Sequence, residues 1–175
     1  MKWLLISYSL PANPSKARVY VWRELKKLGA INHQTLWLLP YSKEYLNKLQ
    51  NLVKTIQDFG GEAVIVEGRV LDKADEEKIY RAFIVARDKE YEELISKCED
   101  FFKEISTEIE KQNFIFAEVE ENEEELQKLK QWFKKIEKRD FVKAPLRKVA
   151  LEKIKKCNRL MEEFSRRVYR ENRNN

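Results

Sequence analysis

Glycine and proline are scarce: the 175 residues hold four of each, against 37% charged residues. So few positions for sharp turns or left-handed backbone exclude a turn-rich all-β chain and favour long charged helices over more than half of the sequence. Histidine occurs once, at His33, which leaves no Ser-His-Asp or Cys-His pair, and there is no Walker loop, GxGxxG or HExxH motif. Neither of the two cysteines, Cys98 and Cys157, lies near His33 in sequence, so no zinc site is expected. With the helices read below, the two thiols are expected to differ in height by about nine residues of rise, roughly 13 Å and beyond disulfide reach, each serving as a buried small hydrophobe. Long apolar runs are missing too. The stretch from Met1 to Leu10 stops at Pro11, too short for a signal-peptide core or a membrane span, and the chain reads as cytoplasmic, without membrane contact. These absences predict a protein that is not an enzyme and needs no cofactor or metal.

What is present is a 43% hydrophobic chain, enough for one good core or two small ones. The net charge of +5 is strongly segregated: residues 1–30 carry +5, 31–72 carry −1, 73–125 carry −10 and 126–175 carry +11. Such a layout fits either acidic and basic helices pairing internally or a basic surface that meets nucleic acid.

WLLISYS, Trp3 to Ser9, reads as a buried strand that ends before Pro11 and Pro14. From Ser15 the pattern turns helical, with Ala17, Val21, Leu25 and Leu28 on one stripe and Gly29 as a left-handed cap. Ala30 to Pro40 is extended, either one strand or a hairpin bent at Asn32–Gln34. Tyr41 to Phe59 is amphipathic through Tyr45, Leu49, Leu52, Val53 and Ile56, closes at Gly60–Gly61, and precedes a β-branched strand over Glu62 to Leu71. The spacing predicts an α+β, ferredoxin-like (βαββαβ) domain over residues 1–72.

Residues 73–175 read as an antiparallel three-helix bundle with one long helix. Asp75 to Gln112 lacks Pro and Gly and carries Ile79, Phe83, Tyr91, Leu94, Cys98, Phe101, Ile105 and Ile109 at helical spacing. After a break at Asn113 to Glu121, Asn122 and Glu125 look like a capping box for a second helix with Leu126, Leu129, Phe133 and Ile136. Pro145 opens a third, with Val149, Leu151, Ile154, Leu160, Met161, Phe164 and Val168, and Glu171 to Asn175 should fray.

The candidate binding residues are Lys16, Arg18, Arg23, Lys26 and Lys27 of the first helix, with Glu24 as the one acid and Tyr20 and Trp22 interleaved. Basic side chains hold phosphate or another oxyanion by charge-assisted hydrogen bonds, and aromatics can stack beside them. The plain alternative is a solvated helix face with Trp22 half buried. Arg147, Lys148, Lys153, Lys155, Lys156, Arg159, Arg166, Arg167 and Arg170 of the last helix form a second basic set, read first as partners of the acidic long helix. Runs such as Glu123–Glu125 fit a helix N-terminus favoured by the dipole rather than a metal site.

Several motifs carry a likeness to known proteins: the opening strand, Pro11, Pro14, Arg18-Val19, Trp22-Arg23, Leu28-Gly29-Ala30 and Leu38-Leu39-Pro40. Further along come Gly60-Gly61-Glu62-Ala63, Ala86-Arg87-Asp88 with Tyr91, Lys138-Arg139-Asp140-Phe141, Ala144-Pro145 and Arg167-Val168-Tyr169. The sequence resembles the N-terminal region of the ChrB family, regulators linked to bacterial chromate resistance, over nearly its whole length. The resemblance implies a transcriptional regulator that binds promoter DNA and responds to chromate or another oxyanion, and full-length relatives with a further C-terminal domain. The opening also resembles the ferredoxin-like unit of PaaX-type repressors and Cas2-like nucleases. Those nucleases hold a metal with an Asp at the end of the first strand, where this chain has Ser7-Tyr8-Ser9, so metal-dependent cleavage is not supported. No helix-turn-helix is evident, so DNA binding would rest on the basic faces. The rival expectation is an oligomeric interaction module, such as a homodimer, that does not bind DNA; a metal-dependent nuclease stands third.

Overall fold

The computed structural model describes residues 1–173. The apolar run Trp3 to Ile6 opens strand β1 (Trp3–Ser9), and the β-branched run Val64 to Val66 lies within strand β4 (Glu62–Gly68). The open question at Ala30–Pro40 resolves as a hairpin, β2 (Ile31–His33) and β3 (Leu36–Pro40), with Gln34 at φ 58° in its turn. Helices α1 (Ser15–Leu28) and α2 (Lys43–Asp58) complete the order β-α-β-β-α-β, followed by α3 (Lys73–Glu110), α4 (Phe116–Arg139) and α5 (Leu146–Arg173). Over the described residues the chain is therefore α+β, with a four-stranded antiparallel sheet in the order β2-β3-β1-β4 and five helices. Strand β4 stops at Gly68, short of the expected Leu71, whose side chain is almost fully exposed.

The chain divides into two compact units, one over Met1–Phe83 and one beginning at Ile84. In the first, Leu4, Ile6, Trp37 and Leu39 pack with Val21 and Leu25 of α1 and Leu49, Leu52 and Ile56 of α2. Gly29 takes φ 82° and caps α1 with its N–H on the Leu25 and Lys26 carbonyls, as the stripe ending at Leu28 requires. Trp3 points away from that core. Its ring is fully buried, stacked on Phe83 at 5.7 Å with Tyr80 edge-on at 5.5 Å, and its indole N–H donates to Glu76 at 3.0 Å. That hydrogen bond, followed by the one from the terminal ammonium, holds the Glu76 carboxyl below its ordinary value.

In the second unit, Tyr91, Leu94, Cys98, Phe101 and Ile105 of α3 share a core with Leu126, Leu129, Phe133 and Ile136 of α4 and Ile154, Met161, Phe164 and Val168 of α5. Three details differ from the sequence reading. Asn122 does not cap α4: the helix starts at Phe116, with Ile115 as its cap, and Asn122 is buried inside it, its amide donating to the Glu118 carbonyl. The segment from Asn113 lacks Gly and Pro, and Phe114 and Val119 pack on the core, so extending the helix buries apolar surface that a local capping pattern cannot register. On α5, Val149 and Leu151 are exposed while Ala150 and Cys157 take the buried stripe. Glu171–Arg173 are helical instead of frayed, and 174 and 175, the rest of the expected frayed tail, lie outside the described residues.

The cysteines are a further correction. The Cys157 Sγ lies 4.0 Å from the Cys98 carbonyl, and both residues are fully buried free thiols. Their level is set by Leu146, whose N–H donates to the Asp88 carboxylate at 2.9 Å and starts α5 beside Asp88. Cys98 lies ten residues beyond Asp88 and Cys157 eleven beyond Leu146, so their heights differ by about 1.5 Å. The contact with Cys98, then burial, pushes the Cys157 thiol up, away from thiolate reactivity.

Gly61, between α2 and β4, has no space for a side chain: a Cβ there would sit 2.3 Å from the Ser9 carbonyl oxygen and 2.9 Å from both Ile56 and Leu10. Gly61→Ala is expected to lower stability by about 1–3 kcal/mol in denaturant melts. Wild-type stability in that variant would contradict the packing described.

Candidate functional site

The buried stripe Ala17, Val21 and Leu25 fixes the rotation of α1, so everything away from it faces solvent. Lys16, Arg18, Arg23, Lys26 and Lys27 are all exposed. At 100° per residue they fall into two rows. Lys16, Arg23 and Lys27 form one ridge, at spacings of seven and four residues. Arg18, Trp22 and Lys26 form the other, each four residues from the next. The first ridge extends about 16 Å along the helix, close to the length of five base pairs.

Their partners differ. Lys27 pairs with Glu24 at 2.7 Å, and Lys26 lies 5.7 Å from both the Trp22 and Trp37 ring centres. Both stand in the last turn of α1, where the helix dipole already favours a cation. Lys16, Arg18 and Arg23 have no such local explanation: among the described residues no carboxylate forms an ion pair with them. The first turn of α1 carries neither an acid nor a capping side chain, so its positive dipole end adds to the same field. Tyr20 and Trp22 are 44% and 50% exposed, so the Trp22 ring is half covered and half open to solvent. Tyr20 meets Phe59 edge-on at 6.0 Å.

Three of the nine residues of the second basic set have carboxylate partners, and Lys148, Lys156, Arg159, Arg166, Arg167 and Arg170 form no ion pair among the described residues. Lys153 pairs with Glu99 of α3, Arg147 with Glu137 of α4 at 2.5 Å, and Lys155 with Glu152 at 3.0 Å. Lys156 and Arg167 cover the Phe102 and Phe114 rings at 4.2 and 4.9 Å. Lys153–Glu99 is the pair in this set that joins the acidic long helix, so pairing with α3 accounts for less of the charge segregation than its size suggests.

A group of polar residues that sequence reasoning did not single out as a site comes together in the second unit. Arg87 is 2% exposed and reaches Glu90 at 3.1 Å, while Arg139 donates to the other oxygen of Glu90 at 3.0 and 2.8 Å. Asp140 accepts the Tyr91 hydroxyl at 3.1 Å and the Ala144 N–H on both oxygens at 3.1 Å. Asp88 holds the first turn of α5 through Leu146. Arg87, Arg139 and Arg147 bring three positive charges to this network, whereas Asp88, Glu90, Glu137 and Asp140 bring four negative ones. It therefore has no net positive charge to hold a further oxyanion, and its geometry ties the end of α4 and the start of α5 to α3. Among the described residues no three His, Cys, Asp or Glu side chains are grouped to hold a metal ion, and no helix is long and apolar enough to cross a membrane.

A family model described as protein ChrB, N-terminal, matches residues 18–175. The chain belongs to the ChrB family, N-terminal type. Comparison with curated proteins and with solved structures returned no match. The motifs that carried the resemblance are scattered in sequence, yet two of them meet in this ChrB domain: Ala86-Arg87-Asp88 with Tyr91, and Lys138-Arg139-Asp140 with Ala144-Pro145, supply most of the polar network. Their charges gave no signal of burial in the sequence, because isolated Asp, Glu and Arg residues in a highly charged chain look like solvated faces.

Replacing Asp140 by Ala leaves the Tyr91 hydroxyl and the Ala144 N–H buried without an acceptor, and is expected to cost about 1–3 kcal/mol in urea unfolding. Asp140→Asn, which keeps an acceptor, should cost less. Burial, then the charge of Asp140, pushes the Tyr91 hydroxyl well above its ordinary value of 10.0. A raised acid contributes stability that is complete below the unfolded value and is lost as pH rises past it. Melting temperature should accordingly fall more steeply above pH 10 in the wild type than in Tyr91→Phe.

Proposed function

We propose that this ChrB domain is a non-catalytic, DNA-binding transcriptional regulator in chromate resistance, and that Lys16, Arg18, Arg23, Lys26 and Lys27 contact the phosphates of promoter DNA. Membership of a family of chromate-resistance regulators supports the role. The observation that carries the site is the solvent-facing pair of rows on α1, in which Lys16, Arg18 and Arg23 have no carboxylate partner among the described residues. In this reading the α/β part is ferredoxin-like, α3, α4 and α5 form a three-helix bundle, and the domain works in the cytoplasm. Contacts of this kind recognise a backbone and give no sequence choice by themselves, so Trp22 and Tyr20 beside them are the groups placed to meet bases or sugars. An oxyanion effector such as chromate would meet this same cationic face rather than the net acidic network of Asp88, Glu90, Glu137 and Asp140.

Fluorescence anisotropy with the DNA upstream of the protein's own gene tests the proposal. Affinity should fall steeply with salt, and Arg18→Ala plus Arg23→Ala should weaken binding and reduce the magnitude of the log–log salt slope by about 1.8, the share of two phosphate contacts. Affinity that ignores both salt and the double substitution would sink it.

A further inference from the structure

The two edges of the sheet are built differently. Strand β2 ends it after three residues, two of them the exposed polar Asn32 and His33. Strand β4 ends it with seven residues, paired to β1 along their whole length, from Trp3 opposite Gly68 to Ser9 opposite Glu62, without a bulge. Edge strands are usually protected from pairing with other chains by shortness, lysine, proline or a bulge. The β4 strand, EAVIVEG, has none of these, and its two charges, Glu62 and Glu67, flank an uncharged run from Ala63 to Val66. On the face away from α1 and α2, Val64 and Val66 are 63% and 51% exposed, although β-branched residues favour a pleated surface that is partly covered.

We propose that β4 pairs antiparallel with β4 of a second copy of this chain, joining two sheets into one of eight strands. The strand is self-complementary about Ile65. In the two-fold register centred there, all seven residues pair: Val64 meets Val66 of the second copy, Ala63 meets Glu67, and Glu62 meets Gly68. No carboxylate faces another, and Glu67 is already held by Lys2 of its own copy at 2.6 Å. On the other side of the strand, α2 borders the edge with Asn47, Gln50, Asn51, Lys54 and Gln57, which line a groove with Ala63 and Ile65. This border has no acid and is dominated by amides, groups that both donate and accept and so can bond to copies of themselves across a two-fold axis. The pairing stands independently of the reading of α1.

Sedimentation velocity and light scattering on the full chain should give twice its 21.1 kDa mass. Val64→Lys with Val66→Lys places like charges opposite one another in this register and should give a monomer with unchanged circular dichroism and melting. Val64→Glu with Val66→Glu should do the same, and mixing the two variants should restore a mass of two chains. If the double lysine variant melts early, Val66→Lys alone replaces it. A monomeric wild type, a lysine variant that dimerises as the wild type does, or variants that stay apart on mixing would each overturn the proposal, and the first would leave β4 to an extended segment of another protein.

Discussion

Burial of Ala17, Val21 and Leu25 is the constraint on which the α1 surface depends. Three side chains at spacings of four set the rotation of the helix against Leu4, Ile6, Trp37 and Leu39, and the rotation alone decides that Lys16, Arg23 and Lys27 share one ridge while Arg18 and Lys26 flank Trp22 on another. Lys27 pairs with Glu24 and Lys26 lies over Trp22 and Trp37, whereas Lys16, Arg18 and Arg23 form no ion pair among the described residues, so no contact within the domain accounts for those three.

The same periodic logic made much of the architecture legible beforehand. Buried stripes on α1, α2, α3 and α4 fall on the residues that spacing selects, and Gly29 ends α1 where the stripe ends. What spacing could not supply was anything set by a distant partner. Asn122 with Glu125 matches a capping box by local chemistry, yet the packing of Phe114 and Val119 carries the helix back to Phe116. Whether Ala30–Pro40 bends depends on whether β3 finds β1, which no window of eleven residues contains. The exposed cations of α1 could be anticipated because exposure is the complement of the stripe; the network around Glu90 and Asp140 could not, since it draws on residues about fifty positions apart.

That network also holds one of the connections of a chain with so few glycines and prolines. The link from Arg139 to Leu146 turns through Lys143, a non-glycine residue at φ 52°, includes Pro145, and is fastened by carboxylates. Asp140 fixes its own backbone four residues on, Asp88 fixes the start of α5, and Arg139 is clamped to Glu90. Removing one member of such a network leaves its partner's charge buried without compensation, so breaking it costs more stability than the intact pairs contribute on balance.

The register that Asp88 imposes on α5 has an outcome for solution work on the domain. With Cys98 and Cys157 side by side in the core and no other sulfhydryl in the chain, alkylating probes find nothing to label until α3 and α5 separate. The rate of thiol modification thus becomes an internal clock for transient opening of the helices, silent about motions of the sheet.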